Sequence, residues 1–207
     1  LVTWRAPLIV GDDGGKSLIR RSMAIPIQIR DFPIDFLSQA GPEYRLVEED
    51  CGNTWIDPGR FKRGVMGCLL MPQPGGRSAL LFVMSTRVKS SYIKDVPSPR
   101  FRDDAIRLCP LCEKLPADLL RPDRFAAFHR AFGHAKRYVG DGAAIMGDAA
   151  HPVTPAGGQG ANMSIADAAV LAEVALKAFE KNDFSAQALA PYEAERRPAN
   201  ERSLMFS

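Results

Sequence analysis

The chain has 207 residues, of which 46% are hydrophobic, so it can bury the core of one large domain or of two small ones. Its 27 basic and 24 acidic residues give a formal net charge of +3 and are interspersed, which argues against nucleic-acid binding. The longest wholly apolar run, residues 79–84, is far shorter than the roughly 20 residues of a membrane span, so no span is expected.

The first elements are predicted within residues 5–23. A short apolar run at 8–10 is followed by the turn-forming residues GDDGG at 11–15, and Ser17 then precedes a stretch compatible with a helix. This order predicts a strand, a turn and a short helix.

The following hundred residues have a different pattern. Short runs, often rich in β-forming residues, are separated by turn residues and occur at 44–49, 53–57, 65–72 and 78–86. We predict that these runs are strands of one mainly antiparallel sheet. Residues 99–130 are rich in proline, aspartate and arginine with mixed periodicity, which predicts only short helices there.

The four cysteines are few for this length, which favours a reducing compartment, and hence a cytoplasmic location, over a secreted disulfide framework. The sequence CPLC at 109–112 has the spacing of a redox motif. However, it lacks the preceding strand of a thioredoxin unit, and only three histidines are present to complete a metal site. We therefore interpret these cysteines as incidental and expect no metal, with a redox or metal role as the alternative.

Residues 131–207 combine strand and helix patterns. The sequence GDG at 140–142 predicts a turn, and a buried strand at 143–146 then leads into the glycine-rich segment GDAAHPVTPAGGQGAN at 147–162. A long helix follows, because most of its circumference is apolar beside one polar stripe. The last segment is also helical in pattern but is predicted to be interrupted at Pro191 and Pro198.

The glycine-rich segment has the features of a ligand-binding loop. Asp148 follows a strand, so its carboxylate is expected at the carboxyl edge of a sheet, where open α/β sheets bind ligands. Two prolines stiffen the loop, and Gly157, Gly158 and Gly160 allow backbone N–H groups to approach a ligand closely. The N-terminus of the next helix adds about half a positive charge.

A phosphate is the usual ligand of such a loop, but the residues do not favour one here. The segment has neither the Lys-Ser/Thr pair of a P-loop nor GxGxxG in its usual strand–helix setting, and Asp148 would repel a phosphate. A carboxylate beside helix-end amides suits a ligand with hydroxyls on one side and a delocalised anion on the other. A ribityl chain attached to a reduced flavin has both.

Two residues of this loop also have simpler interpretations. His151 is expected to serve in packing or hydrogen bonding, with an acid–base role as the alternative. Asp148 has the alternative role of a cap on the approach to the helix.

Two motifs resemble one known family. GDAAHPVTPAGGQGANMSIADA, residues 147–168, resembles the GD motif of single-component FAD-dependent aromatic hydroxylases, the para-hydroxybenzoate hydroxylase-like flavoprotein monooxygenases. GDDGGKSLIR, residues 11–20, resembles the DG motif of the same family, G-x-D-G-x-x-S-x-x-R. The motifs occur in the family's order, with a sheet-forming stretch between them.

The resemblance implies that the GD motif contacts FAD. Asp148, which follows Gly147, would accept a hydrogen bond from a ribityl hydroxyl, and Pro155 would lie beside the isoalloxazine ring. Backbone groups would face the pyrimidine edge of that ring from Gly158, Gly160, Ala161 and Asn162.

The DG motif is implied to lie near a different part of the cofactor. Asp13 and Gly14 would lie near the pyrophosphate and the path of the nicotinamide cofactor, with Arg20 supporting their turn. In this family NADH or NADPH reduces the flavin, O2 adds at C4a, and the resulting hydroperoxide transfers one oxygen atom to an activated aromatic substrate. No catalytic side chain is identified by the motifs.

The implied fold is α+β. Residues 1–26 and 131–207 would form part of an FAD-binding domain of the GR2-type, Rossmann-like class. Residues 27–130 would form a substrate-binding domain whose mainly antiparallel sheet covers the flavin. The expected partner is a small aromatic molecule, and no oligomeric state is indicated.

The family's N-terminal βαβ unit with GxGxxG has no counterpart in this sequence. The chain is therefore expected to be a fragment that, alone, carries no stoichiometric FAD, has a mobile or displaced loop at 151–160 and lacks NAD(P)H oxidase activity. Two alternatives to a monooxygenase remain: an inactive remnant or binding module, and a related flavoprotein such as a halogenase or prenyl reductase.

Overall fold

The chain divides into two units, Leu1–Asp31 with Ala131–Ser207 (unit 1) and Phe32–Arg130 (unit 2). The computed structural model describes residues 3, 5–39, 46–47, 51–155 and 158–205, without the side chains of 129–131 and 205. The assignment of the two parts of the chain to FAD and to substrate stays a prediction. Among the described residues, no helix is both long and apolar enough to cross a membrane.

Unit 1 contains a three-stranded sheet. Strand β1 (Ile9–Gly11) pairs in parallel with β8 (Ala143–Ile145), and β8 pairs antiparallel with β7 (Val139–Gly140). The turn between β7 and β8 contains Gly142 at φ +68°, which confirms the turn predicted at GDG. Helix α1 (Leu18–Ser22) follows β1, and its first turn is capped because the Ser17 hydroxyl accepts the N–H of Arg20.

Two long helices complete unit 1. Helix α4 (Gly160–Lys181) confirms the predicted long helix, and its buried face meets the strands and the next helix through Leu171, Val174 and Ala178. Apolar side chains of α4 also lie outside this buried face. Ile165, Leu176 and Phe179 belong to the apolar part of the circumference, yet they are more than half exposed.

Helix α5 (Ala186–Met205) is continuous, so the predicted interruptions at Pro191 and Pro198 are wrong. Both prolines lie on the exposed side of the helix, where water can bind the carbonyl groups that lose an N–H partner. Leu189, Tyr192 and Asn200 lie on the opposite side and are fully buried. Burial of that side therefore outweighs the local cost of the two prolines.

The second sheet has five strands in the order β3–β4–β5–β2–β6. Their bounds are β2 (Ile27–Gln39), β3 (Asn53–Ile56), β4 (Gly67–Gln73), β5 (Arg77–Ser85) and β6 (Ala126–Ala135). The pairs β3–β4, β4–β5 and β2–β5 are antiparallel. Three of the four predicted strands are thus confirmed. Of the fourth, 44–49, only Leu46 and Val47 are described, and neither lies in a strand.

Helices α2 (Thr86–Lys94) and α3 (Pro99–Leu108) follow β5. The short helices predicted for 99–130 are confirmed up to Arg124, but residues 126–130 belong to strand β6, which, like α2, was not predicted. Alternating residues of the sheet pack into the core of unit 2, including Leu37, Leu80 and Phe82. The alternate residues of β4 and β5 form the opposite face. Leu69 and Leu81 are half-buried there, and Met71 is exposed.

Candidate functional site

The two motifs meet at one edge of the unit 1 sheet. Because β1 and β8 are parallel neighbours, with Gly11 opposite Ile145, the chain leaves both strands at the same edge. The N–H of Met146 donates to the carbonyl of Gly11 at 3.0 Å. The DG turn and the GD loop therefore begin side by side.

The DG turn is held by its own side chains. Asp13 Oδ2 accepts the N–H groups of Leu18 and Ile19 at 2.6 and 3.2 Å, so this carboxylate caps α1. Burial opposes its ionisation, but hydrogen bonds from Ser17 and from these amides outweigh that effect and lower the pKa of Asp13. Gly14 has φ +79° with open space where a Cβ would lie.

Arg20 joins the DG turn to the GD loop. Its side chain is buried, and its two terminal nitrogens donate to the carbonyls of Ala149 at 2.6 Å and Gly15 at 2.8 Å. One guanidinium therefore fixes both loops, although they are distant in the sequence.

Gly147 starts the GD loop in a backbone conformation that excludes a side chain. Its φ is +55°, and a Cβ would lie 2.7 Å from both Asp12 Oδ1 and Ser164 Oγ. The next residue, Asp148, lies in a short 3-10 turn, Gly147–Ala149. The Asp148 side chain is exposed to solvent. Atoms packed around its carboxylate nevertheless hinder hydration and raise the pKa of Asp148, and the hydrogen bond from the N–H of Val153 offsets this effect only in part.

A buried carboxylate, Asp167 on α4, holds the loop from behind. Asp167 Oδ2 accepts the N–H of Gly147 at 3.1 Å and lies 2.5 Å from Nε2 of the buried His151. Asp167 Oδ1 accepts from Arg196 Nε at 2.8 Å and from Asn200 Nδ2 at 3.0 Å, both on α5. One side chain therefore joins the start of the loop, its fifth residue and the last helix.

The charges around Asp167 keep it ionised. Its side chain is fully buried, which opposes ionisation, but the hydrogen bonds from His151, Asn200 and Arg196 outweigh burial and lower its pKa to about 2. His151 is thus placed in a structural hydrogen bond, and an acid–base role has no support from this geometry.

The far part of the loop is held by β6. The N–H groups of Gly133 and Ala135 donate to the carbonyls of Pro152 and Ala150 at 2.9 and 2.8 Å. Thr154 is buried, yet its Oγ1 has no hydrogen-bond partner among the described residues. An unsatisfied hydroxyl of this kind is available to a polar group outside the described part of the chain.

Within the described part of the chain, no side chain caps the N-terminus of α4. Gln159 is the N-cap residue, but its side chain makes no capping hydrogen bond, and no acidic residue lies in the first turn. The amides of Gly160, Ala161 and Asn162 precede the first intrahelical donor, so they carry the positive end of the helix dipole. Gly158, at φ +64°, has open space where a Cβ would lie.

These features fit a flavin. Asp148 is a hydrogen-bond acceptor at the sheet edge, Gly158 leaves room for a flat ring, and the first amides of α4 suit a negatively charged ring edge. Pro155 lies between them in the loop, while Gly157 lies outside the described residues. The predicted mobility of loop 151–160 stays a prediction.

Sequence reasoning missed the buried network behind the loop. Asp167 lies on the buried face of α4, among Met163, Leu171 and Val174, and an aspartate at such a position is itself a signal of a paired charge. Its partners Arg196 and Asn200 carried no local signal, because only the packing of α5 brings them near.

Comparison with known proteins agrees with this geometry. The family described as FAD binding domain matches residues 2–207, and the chain belongs to that family. The ubiquinone hydroxylase UbiL of Rhodospirillum rubrum is 31% identical over 205 residues, which are 96% of this chain and 44% of UbiL. The 6-methylpretetramide 4-monooxygenase of Streptomyces rimosus is 38% identical over 204 residues, 96% of this chain and 46% of that enzyme.

A solved structure shows the same fold. PqsL of P. aeruginosa, in complex with 2-aminobenzoylacetate, aligns with a TM-score of 0.79 and 26% identity over 97% of this chain and 54% of PqsL. The chain thus spans about half the length of the relatives it matches, and the predicted α+β class is confirmed.

Proposed function

We propose that the chain forms part of an FAD-dependent monooxygenase that hydroxylates an aromatic or similarly activated small molecule with NADH or NADPH and O2. The observation that carries the proposal is the shared sheet edge of β1 and β8. That edge combines an acceptor carboxylate, Asp148, with the N-terminus of α4. The names of the hydroxylase and monooxygenase relatives support the reaction type.

The roles of the residues follow from their chemistry. Asp148 accepts a hydrogen bond from a ribityl hydroxyl, and Pro155 lies against the isoalloxazine ring. The amides of Gly160, Ala161 and Asn162 stabilise negative charge at the pyrimidine edge in the way of an oxyanion hole. Bound FAD supplies the redox and oxygen chemistry, and the chain binds, orients and stabilises charge.

The DG turn has a separate role. Asp13 and Gly14 lie near the pyrophosphate and the path of the nicotinamide, and Arg20 keeps this turn in register with the GD loop. Because the Asp13 carboxylate already accepts two backbone N–H groups, its contribution is to hold the turn rather than to contact the anionic phosphates. Gly14 provides the close backbone approach, since no atom of the described residues lies within 4 Å of the place of its Cβ.

Unit 2 is proposed to bind the substrate. The sheet face opposite its core carries half-buried Leu69 and Leu81, and exposed Met71 and Ile56 lie on the same face. An apolar surface of this kind suits an aromatic ring. The 2-aminobenzoylacetate complex of PqsL supports a substrate of that class.

The cofactor arm of the proposal is tested by a matched pair of glycine variants. Gly158→Ala and Gly75→Ala each place a side chain at positive φ into open space, at +64° in the GD loop and at +80° in a turn of unit 2. The backbone strain is therefore similar. In the full-length protein we expect Gly158→Ala to weaken FAD binding about tenfold, since the methyl group occupies space meant for the flavin. Gly75→Ala is expected to leave binding unchanged, and equal binding in both variants would refute the placement of the flavin.

The reaction is tested with ¹⁸O2. Full-length protein that carries FAD is mixed with NADH or NADPH and a panel of phenols and aminobenzoyl compounds. We expect a product that has gained one ¹⁸O atom from at least one member. Stoichiometric FAD without nicotinamide oxidation would instead indicate an inactive remnant, and reduction of a substrate double bond would indicate a related reductase.

A further inference from the structure

Three of the four cysteines meet in the core of unit 2. Cys68 lies on β4, Cys109 follows the last residue of α3, and Cys112 lies in the 3-10 turn Pro110–Lys114. Their sulfur atoms lie within 4.8 Å of one another, and all three side chains are fully buried. The sequence showed only the CPLC pair, because Cys68 is brought to it by tertiary packing.

The CPLC segment enters a 3-10 turn that brings its two cysteine sulfurs within 4.8 Å of each other. The N–H of Cys112 donates to the carbonyl of Cys109 at 3.0 Å, and Pro110 fixes the first residue of the turn.

The distances allow a common ligand. A metal–sulfur bond of about 2.3 Å separates the sulfurs of a three-thiolate site by about 4 Å. No histidine or carboxylate joins the cluster among the described residues. Three sulfur ligands favour a thiophilic ion over a hard, oxygen-seeking one.

We propose that Cys68, Cys109 and Cys112 form a buried trithiolate site for a thiophilic d¹⁰ cation, Zn²⁺ or Cu⁺. Binding forms three metal–sulfur bonds and releases the thiol protons to solvent, with no change of oxidation state. The ion ties the end of α3 and the CPLC turn to β4, so its role is structural. This site replaces the interpretation of the cysteines as incidental, and it does not depend on the proposed flavin chemistry.

The metal content of the native chain tests the proposal directly. The full chain is produced in medium supplemented with Zn²⁺ or with copper under reducing conditions, purified anaerobically, and analysed for metal and for free thiols after denaturation. We expect roughly one ion per chain from one of the two arms. A folded chain with less than about a tenth of an ion in both arms, or with a Cys109–Cys112 disulfide, would overturn the proposal.

Variants and a spectroscopic probe locate the ion. Cys109→Ala and Cys68→Ala are expected to lose the metal, whereas Cys51→Ala is the control because Cys51 is an exposed cysteine outside the cluster. If the cluster variants do not fold, unfolded wild-type chain refolded with Cd²⁺ gives the answer. Thiolate-to-metal absorption that saturates at one ion per chain supports the site, and its absence from a refolded chain contradicts it.

Discussion

Each unit contains a buried aspartate paired with arginine, but the two aspartates hold different kinds of structure. In unit 2, Asp104 on α3 accepts from Arg60 Nη2 at 2.5 Å and from the Tyr92 hydroxyl at 2.6 Å. All of these partners belong to the scaffold. In unit 1, Asp167 has Arg196 as its cation, but two of its partners, Gly147 and His151, lie in the loop that carries the candidate site.

The two aspartates use the same ion-pair chemistry for different purposes. A buried ion pair contributes little net stability but is costly to break, because the remaining charge loses its partner. For Asp104 that cost is confined to folding. For Asp167 it also includes the position of Asp148, since the same carboxylate holds the loop on both sides of that residue.

The largest effect is expected for Asp167→Asn. The variant keeps the shape of the side chain but leaves Arg196 without its counter-charge and His151 without an acceptor carboxylate. We expect a loss of about 3–5 kcal/mol in the free energy of unfolding. Chemical denaturation of the chain measures this loss. We also expect the folded fraction to retain less FAD in the full-length protein, and unaltered flavin content would remove the distinction between the two aspartates.

Asp104→Asn is the matched variant in unit 2. At Asp104 the largely buried partners are Arg60 and Tyr92, and the other arginines that contact it are more than 60% exposed. Fewer buried groups therefore lose a partner than at Asp167, and the expected loss is smaller, about 2–3 kcal/mol for a hydrogen-bonded charge. Flavin content per folded protein should stay at the wild-type level. A parallel loss of flavin at equal stability would mean that FAD retention reports general destabilisation.

The pH dependence gives a smaller and more specific effect. The pKa of Asp167 is lowered from 3.8 to about 2, so its contribution to stability is present above pH 4 and is lost as pH falls from about 4 to about 2. The change amounts to about 2 kcal/mol. The stability difference between wild type and Asp167→Asn should shrink by that amount over this interval. A constant difference would show that Asp167 has an ordinary pKa in the folded chain.

Local signals predicted the parts of the molecule that local chemistry determines. Ser17 indicated the start of α1, the glycines indicated the loop, and the apolar pattern indicated α4. Helix α5 was predicted to be interrupted because proline removes a backbone N–H group. The helix is continuous, and both prolines lie on its exposed side.

Long-range packing explains the remaining misses. The thirteen-residue strand β2 has a charged and proline-containing middle, and only pairing with β5 and β6 makes it a strand. The Asp167 network and the cysteine cluster each join residues from separate elements, so no sequence window contains either of them.

The central claim is that Asp148 at the edge of unit 1 holds FAD. The most direct measurement is the dissociation constant of FAD, by titration of flavin fluorescence, for full-length wild type, Asp148→Ala and the exposed unit 2 control Asp118→Ala. Loss of one hydrogen bond to a charged acceptor costs about 1.5–3 kcal/mol, so we predict that Asp148→Ala binds FAD roughly 10- to 100-fold more weakly. Asp118→Ala should bind like wild type. Equal dissociation constants for all three proteins would contradict the claim and leave Asp148 as a cap of its own loop.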